Sequence, residues 1–271
     1  MPQSDFPFHK ARKRFGQNFL RDQSVIERIV LSIHPKKGEK LVEIGPGQGA
    51  LTEGLLAGAG ALDVVELDRD LIPALKLRFG LNPDFCIHEA DALKFDFSAL
   101  KTDDRPLRLT GNLPYNISTP LIFHLLSFRG LISDMHFMLQ KEVVQRLAAT
   151  PGDKHYGRLS IMTQYSCAVD NLFTVGPGSF KPAPKVDSAI VRLTPHKVLP
   201  YPCKNVARLE AVVRDAFSQR RKTLRNTLKS HLSAPAIESL GIASGARPEQ
   251  LHLVDFVKIA DYLDNAASKN E

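Results

Sequence analysis

Lys40-Leu-Val-Glu-Ile-Gly45-Pro-Gly-Gln-Gly49-Ala-Leu-Thr52 decides the fold. An apolar run of strand length ends at Ile44. Gly45, Gly47 and Gly49 then supply a tight turn, and Ala50 to Ala57 reads as a helix stopped by Gly58 and Gly60. A strand, a glycine turn and a helix in that order aim backbone N–H groups and the positive end of a helix dipole at whatever sits over the turn. Glycine lets the backbone turn sharply there and approach a ligand closely.

Outward from this stretch, strand and helix runs alternate. Leu62 to Leu67, Phe85 to His88, Leu107 to Thr110 and His136 to Leu139 read as further strands. Leu71 to Phe79, Thr119 to Leu126 and Glu142 to Ala149 read as helices. The alternation predicts an α/β fold with a doubly wound, mainly parallel sheet. Upstream, Asp22 or Ser24 can cap a helix through Val25 to Ile33, preceded by a basic arm with Lys10, Arg12, Lys13 and Arg14. Downstream, Tyr165 to Val175 and Ala189 to Leu193 are β-rich and predict an antiparallel pair at the sheet edge. After Lys204 only helical runs remain, over residues 206–218, 223–232, 235–240 and 256–267. The prolines between 195 and 202 mark a boundary, giving a larger domain over 1–195 and a small all-α domain over 203–271.

Composition narrows the classes of function. The 271 residues carry 36 Lys and Arg against 29 Asp and Glu, a formal charge of +7, which points weakly to an anionic partner. Hydrophobic content of 43% and charged content of 24% exclude a wholly disordered chain. No run of ~18 apolar residues is present, so no membrane span is expected. Met1 to Arg14 is polar and basic, unlike a secretory signal. Cys86, Cys167 and Cys203 are far apart and odd in number, which argues against a disulfide framework and for a reducing, cytoplasmic setting. There is no His-Glu-x-x-His and no Cys/His cluster of metal-ligand spacing, so no metal is expected.

Two carboxylates accompany the turn. Glu66 ends the second strand, 21 positions after Gly45, where an acidic residue accepts hydrogen bonds from both ribose hydroxyls. Asp91 follows the third strand, where it can accept from an adenine amino group. No Gly-Lys-Ser/Thr follows the turn, so a P-loop is excluded, and Gly-x-Gly-x-Gly departs from the Gly-x-Gly-x-x-Gly of dinucleotide binders. With Glu43 just before it, the turn resembles the first motif of class I S-adenosylmethionine-dependent methyltransferases. A carboxylate near the turn suits that cofactor's sulfonium and amino acid head.

The fourth strand runs into Gly111-Asn112-Leu113-Pro114-Tyr115-Asn116, similar to the Asn/Asp-x-Pro-Tyr/Phe loop of enzymes that methylate exocyclic amino nitrogens. The adenine N6 lone pair is delocalised into the ring. The Asn112 side-chain oxygen and the Leu113 or Pro114 carbonyl can accept its two N–H bonds and localise that lone pair. Pro114 stiffens the loop, and Tyr115 can stack on a flipped base. Phe180 is the candidate for a second stacking ring, in a proline-held loop whose Lys181 and Lys185 can meet phosphate.

Five segments resemble the KsgA (RsmA) ribosomal RNA adenine dimethyltransferases. They are Arg14-Phe-Gly-Gln-Asn-Phe-Leu20, Glu43 to Thr52, Gly111 to Ser118, Phe180-Lys-Pro-Ala-Pro-Lys-Val-Asp-Ser188 and Phe217-Ser-Gln-Arg-Arg-Lys-Thr-Leu-Arg-Asn226. The resemblance runs in order from about Arg12 to Leu263. It implies a Rossmann-like class I methyltransferase domain that binds S-adenosylmethionine and methylates N6 of two adjacent adenosines twice each. The target is the 3′-terminal hairpin loop of 16S rRNA in a pre-30S particle. It also implies that Asn18 and Leu20 line the cofactor site with Gly45, Gly47, Glu66, Asp91 and Asn112. The alternatives are a 23S rRNA methyltransferase of the erythromycin-resistance type, an rRNA-binding assembly checkpoint with methylation secondary, and an adenine-N6 DNA methyltransferase. The last lacks an added target-recognition domain.

On a helical wheel Val213, Phe217, Leu224 and Leu228 form one stripe, with Arg214, Arg221, Lys222, Arg225 and Lys229 along its flank and Arg220 in the same run. Like charges four apart repel, and an anionic partner offsets this, so the run is read as an RNA-binding helix of a monomeric protein.

Overall fold

The computed structural model describes residues 17–219 and 221–267. Arg220 and the arm from Lys10 to Arg14 lie outside the described residues. Contacts divide the chain into two units. One comprises residues 1–144 and 169–195, the other residues 145–168 and 196–271. The sequence placed residues 145–168 with the larger domain; by contacts they go with the C-terminal helices.

The first unit is built on a seven-stranded sheet. Its strands are β2 (Lys40–Ile44), β3 (Leu62–Glu66), β4 (Phe85–Glu89), β5 (Leu107–Asn112), β6 (Ile132–Gln140), β7 (Cys167–Val175) and β9 (Ser188–Pro195), in the order β4-β3-β2-β5-β6-β9-β7. The five strands from β4 to β6 pair in parallel, and β9 runs antiparallel to β6. Leu41, Val42, Ile44, Val64 and Val65 are all buried, as parallel strands covered on both faces require. The chain winds from β2 to β4 in one direction and from β5 onward in the other. The order therefore reverses between β2 and β5, and a crevice opens at their carboxyl ends.

The helices on this sheet follow the sequence closely. Asp22 caps α1 (Gln23–Ile33) by accepting from the N–H groups of Ser24 at 3.0 Å and Val25 at 3.3 Å. Ile26, Ile29 and Ile33, at helical spacing, are its buried face. Helix α2 (Thr52–Ala59) runs through Gly58 and ends at Gly60, whose N–H bonds back to Leu56. Helices α3 (Ile72–Phe79) and α4 (Ser118–Leu126) follow β3 and β5.

Two features differ from the sequence reading. Phe19–Leu20 forms a short strand, β1, antiparallel to β8 (Phe180–Lys181), with Leu20 opposite Phe180. The β-rich run from Tyr165 is split: α6 (Arg158–Ser166) holds Tyr165, and β7 begins at Cys167, beside β9 as the last strand of the sheet.

In the second unit α7 (Val206–Ala216) packs on α6 and on α10 (Leu253–Ala267). The helical runs read over 206–218 and 223–232 appear as α7 and a much shorter α8 (Leu224–Thr227), and among the described residues no continuous basic helix of the kind drawn on the wheel joins them. Helix α7 stops at Ala216, where Ser218 donates from both its N–H and its hydroxyl to the Asp215 carbonyl. A turn follows, then α8, a single helical turn. The N–H groups of Leu224 and Arg225 go to the carbonyls of Ala246 and Ser244, at 2.9 and 3.0 Å. Distant backbone partners thus replace a continuous helical ladder, and Arg221, Arg225 and Lys229 are spared i, i+4 stacking. Val213, Leu224 and Leu228 are buried as the stripe required, while Arg221, Lys222, Arg225 and Lys229 are exposed. The eight-residue α5 (Lys141–Ala148) and the six-residue α9 (Ala234–Ser239) complete the helices.

Candidate active site

The carboxyl ends of β2, β3, β4 and β5 enclose a cavity of about 350 Å³. Gly45 to Gln48 after β2, Glu66 to Asp68 from the last residue of β3, Ala90 to Leu93 after β4 and Asn112 to Ile117 from the last residue of β5 line it, joined by Gln17 to Leu20. Gly45, Gly47 and Gly49 all take positive φ, at 67°, 59° and 80°, which favours glycine at each. The Gly49 N–H closes the turn on the Pro46 carbonyl at 2.8 Å.

Charge in the cavity is one-sided. Glu43, Glu66, Asp68 and Asp91 line it, and no Lys, Arg or His does so among the described residues. Glu66 is 6% exposed, and its carboxylate accepts from the Gly47 N–H at 3.2 Å and the Asp68 N–H at 2.7 Å. It therefore fixes the glycine turn against the end of β3. Burial raises the Glu66 pKa above the usual carboxylate range. Glu43 is 2% exposed and accepts from the Thr52 hydroxyl at 2.6 Å. Burial pushes its pKa up to about 7, a shift that Thr52 opposes and Glu66 reinforces. A site with four carboxylates and no cation disfavours a pyrophosphate and favours a ligand bearing positive charge.

The N-terminal segment completes the wall. Asn112 donates from Nδ2 to the Asn18 carbonyl at 3.1 Å. That bond fixes the amide and leaves Oδ1 as its accepting atom. Gln17 donates to Asp68 at 2.8 Å, and Arg21 donates to Gln48 at 2.8 Å. Three side-chain bonds thus tie residues 17–21 to β5, to the end of β3 and to the glycine turn. The Leu113 N–H bonds to Met138 in the neighbouring strand, fixing the loop's exit from β5. The Tyr115 hydroxyl meets Ser188 Oγ at 2.8 Å, and Ser188 is fully buried. Burial raises the Tyr115 pKa, so the phenol stays neutral.

The sequence profile of the family described as "Ribosomal RNA adenine dimethylase" matches residues 8–265. The chain belongs to the ribosomal RNA adenine dimethylase family. Relatives named "Ribosomal RNA small subunit methyltransferase A" include one from Marinobacter nauticus, 66% identical over 94% of this chain and 92% of the relative. Another, from Pseudomonas aeruginosa, is 63% identical over 94% of this chain and 95% of the relative. Among solved structures, a dimethyladenosine transferase from Plasmodium falciparum superposes with a TM-score of 0.76 at 27% identity, covering 92% of this chain and 98% of that one. The 23S rRNA methyltransferase ErmE superposes at 0.71 with 25% identity, covering 91% and 100%.

The dimethylase is an S-adenosylmethionine-dependent rRNA methyltransferase. Its cavity fits that cofactor on the chemistry of the donor set: carboxylates for a cation, with Glu66 at the end of β3 and Asp91 just past the neighbouring β4 for hydroxyl and amino groups. The structure brings Asn18, Leu20, Gly45, Gly47, Glu66, Asp91, Asn112, Leu113, Pro114 and Tyr115 to this one cavity. It does not bring Phe180 there. That ring is 6% exposed and packs in the core with Leu20, Met138 and Ile190, because β8 alternates Phe180 inward and Lys181 outward. Lys181 and Lys185 are exposed. Sequence reasoning missed Gln17, Asp68, Arg21 and Ser188 as parts of the site. Ser188 lay in a quoted motif, but only the fold shows its bond to Tyr115. Away from this cavity, Cys86 and His88 of β4 lie near Asp63 of β3, one donor atom of each within 4.8 Å of the others.

Proposed function

We propose that this dimethylase converts two adjacent adenosines in the 3′-terminal hairpin loop of 16S rRNA to N6,N6-dimethyladenosine. It acts as a monomer on pre-30S particles in the cytoplasm. The observation that carries the reading is the Asn112–Asn18 bond, which presents Asn112 Oδ1 at the end of β5 within a cation-favouring cavity. The small-subunit name of relatives at 62–66% identity supports 16S over 23S rRNA. A cavity walled by residues of one unit supports a monomer.

When bound, the cofactor supplies an electrophilic methyl carbon on a sulfonium, held by the glycine turn, Glu66 and Asp91. Asn112 Oδ1 accepts one N6–H of the flipped adenosine, and the Leu113 or Pro114 carbonyl accepts the other. These acceptors stabilise the positive charge that develops on N6 as it is methylated. Tyr115, held by Ser188, stacks on the base. Phe180 joins that stack only if β8 shifts its ring out of the core. No side-chain nucleophile is required, because the chain supplies orientation and electrostatics. Exposed Lys181, Lys185, Arg221, Lys222, Arg225 and Lys229, with Arg220, meet phosphates and position the RNA without reading its sequence.

The test is labelled-methyl transfer to unmethylated 30S particles, 50S particles and DNA, followed by nucleoside analysis. N6,N6-dimethyladenosine confined to 16S rRNA is expected. Label in 50S particles instead would favour the erythromycin-resistance reading, and label in DNA would overturn an RNA substrate.

A further inference from the structure

One side-chain cluster lies off the cavity and is not used in methyl transfer. Asp63 on β3 stands opposite Cys86 on β4, and His88 follows two residues later on the same face of β4. Asp63 Oδ1 is 2.7 Å from His88 Nε2. One donor atom from each of the three residues falls within 4.8 Å of the others. None of the three lines the cofactor cavity.

We propose that Asp63, Cys86 and His88 form a binding site for a single zinc-type divalent cation, with water completing the coordination. The donor set is carboxylate oxygen, sulfur and imidazole nitrogen, the mixed set that zinc accepts and that magnesium or calcium does not. Two hydrogen-bonded strands in fixed register carry it, so the donors are held by sheet geometry rather than by a loop. His88 is also held by a tilted contact with Phe95, ring centroids 5.5 Å apart. An entry path exists, because β4 is the edge strand and Cys86 is exposed. Binding requires Cys86 to release its thiol proton to solvent, with Sγ then bonding the cation. His88 gives up its Nε2 hydrogen bond to Asp63, loses that proton to solvent or shifts it to Nδ1, and binds the cation through Nε2 with one ring proton left on Nδ1. The cation clamps β4 to β3 three residues before Asp91, and it takes no part in methyl transfer.

The test uses the full chain, stripped with a chelator and then given zinc or cobalt(II) alone. Wild type is expected to retain about one equivalent of zinc through gel filtration, to show a cobalt–thiolate charge-transfer band, and to melt higher with zinc than without. Cys86→Ser, a change at an exposed position, and His88→Ala should each lose the retained zinc, the band and the zinc-dependent rise in melting temperature. Cys203→Ser should keep all three. Circular dichroism checks that each variant is folded. No uptake by wild type, or undiminished retention by folded Cys86→Ser or His88→Ala, overturns the proposal.

Discussion

The glycine turn with the Asn112 loop and the basic run from Phe217 to Lys229 were both read from short stretches of sequence, with opposite outcomes. The first folded as a strand, a turn and the crevice expected of them. The second kept its buried stripe and exposed cations but only a single turn of its helix. The difference lies in where the backbone finds its partners. Around residues 40–52 the structure is set by local demands: a buried apolar strand, positive φ at three glycines, and a helix started just beyond. Around residues 217–229 the N–H groups of Leu224 and Arg225 are satisfied by Ala246 and Ser244, about twenty residues away. A wheel cannot register that competition.

That contrast can be broken by substitutions of graded effect. Gly111→Ala should act most strongly, because a Cβ there would sit 2.3 Å from the Ile44 carbonyl oxygen, a backbone atom with little room to move. A loss of about 3–4 kcal/mol is expected from overpacking the β2–β5 junction, with methyl transfer abolished. Near-normal urea unfolding of this variant would show the junction to be less tightly determined than its packing indicates.

Glu43→Gln should come next. The folded-state pKa of Glu43, about 7, lies above its ordinary 4.5, so the folded protein binds the proton more tightly. Its contribution is favourable below about pH 4.5 and is lost as pH rises through 7, by up to about 3 kcal/mol. The amide removes this titration and can still accept from Thr52. Unfolding of the cofactor-free protein at pH 5 and pH 8 should show a smaller fall for the variant. An equal fall would place the titrating group elsewhere.

Alanine at Arg221, Lys222 and Arg225 together probes the other region. RNA affinity should fall by roughly 30-fold, about 2 kcal/mol, and the salt dependence should flatten by about 2–3 charges. Unchanged salt dependence would reduce these residues to solvated surface. Ser188→Ala should have the smallest effect, lowering kcat about fivefold, near 1 kcal/mol, through loss of the Tyr115 contact. Tyr115→Phe should match it, and the double variant should add nothing further. Full additivity would separate the two residues.

The alternation of strands and helices from β2 to β6 and the residues at the strands' carboxyl ends were legible because each depends on periodicity and turn chemistry within a few residues. Glu66, Asp91 and Asn112 could be placed without knowing the fold in detail. What escaped depends on long-range register. Nothing near Asn18 indicates that its carbonyl holds Asn112, and nothing near Phe180 indicates that pairing with β1 turns its ring into the core. The Asp63–Cys86–His88 cluster was hidden for the same reason, since one donor sits on a neighbouring strand.

The proposed chemistry turns above all on Asn112. Its direct test is single-turnover methyl transfer to unmethylated 30S particles by Asn112→Ala, with S-adenosylmethionine affinity measured in parallel. Transfer should slow by about 10²–10³-fold while cofactor affinity falls far less, as loss of an acceptor acting on N6 requires. Transfer near the wild-type rate, or a loss matched by lost cofactor affinity, would contradict it.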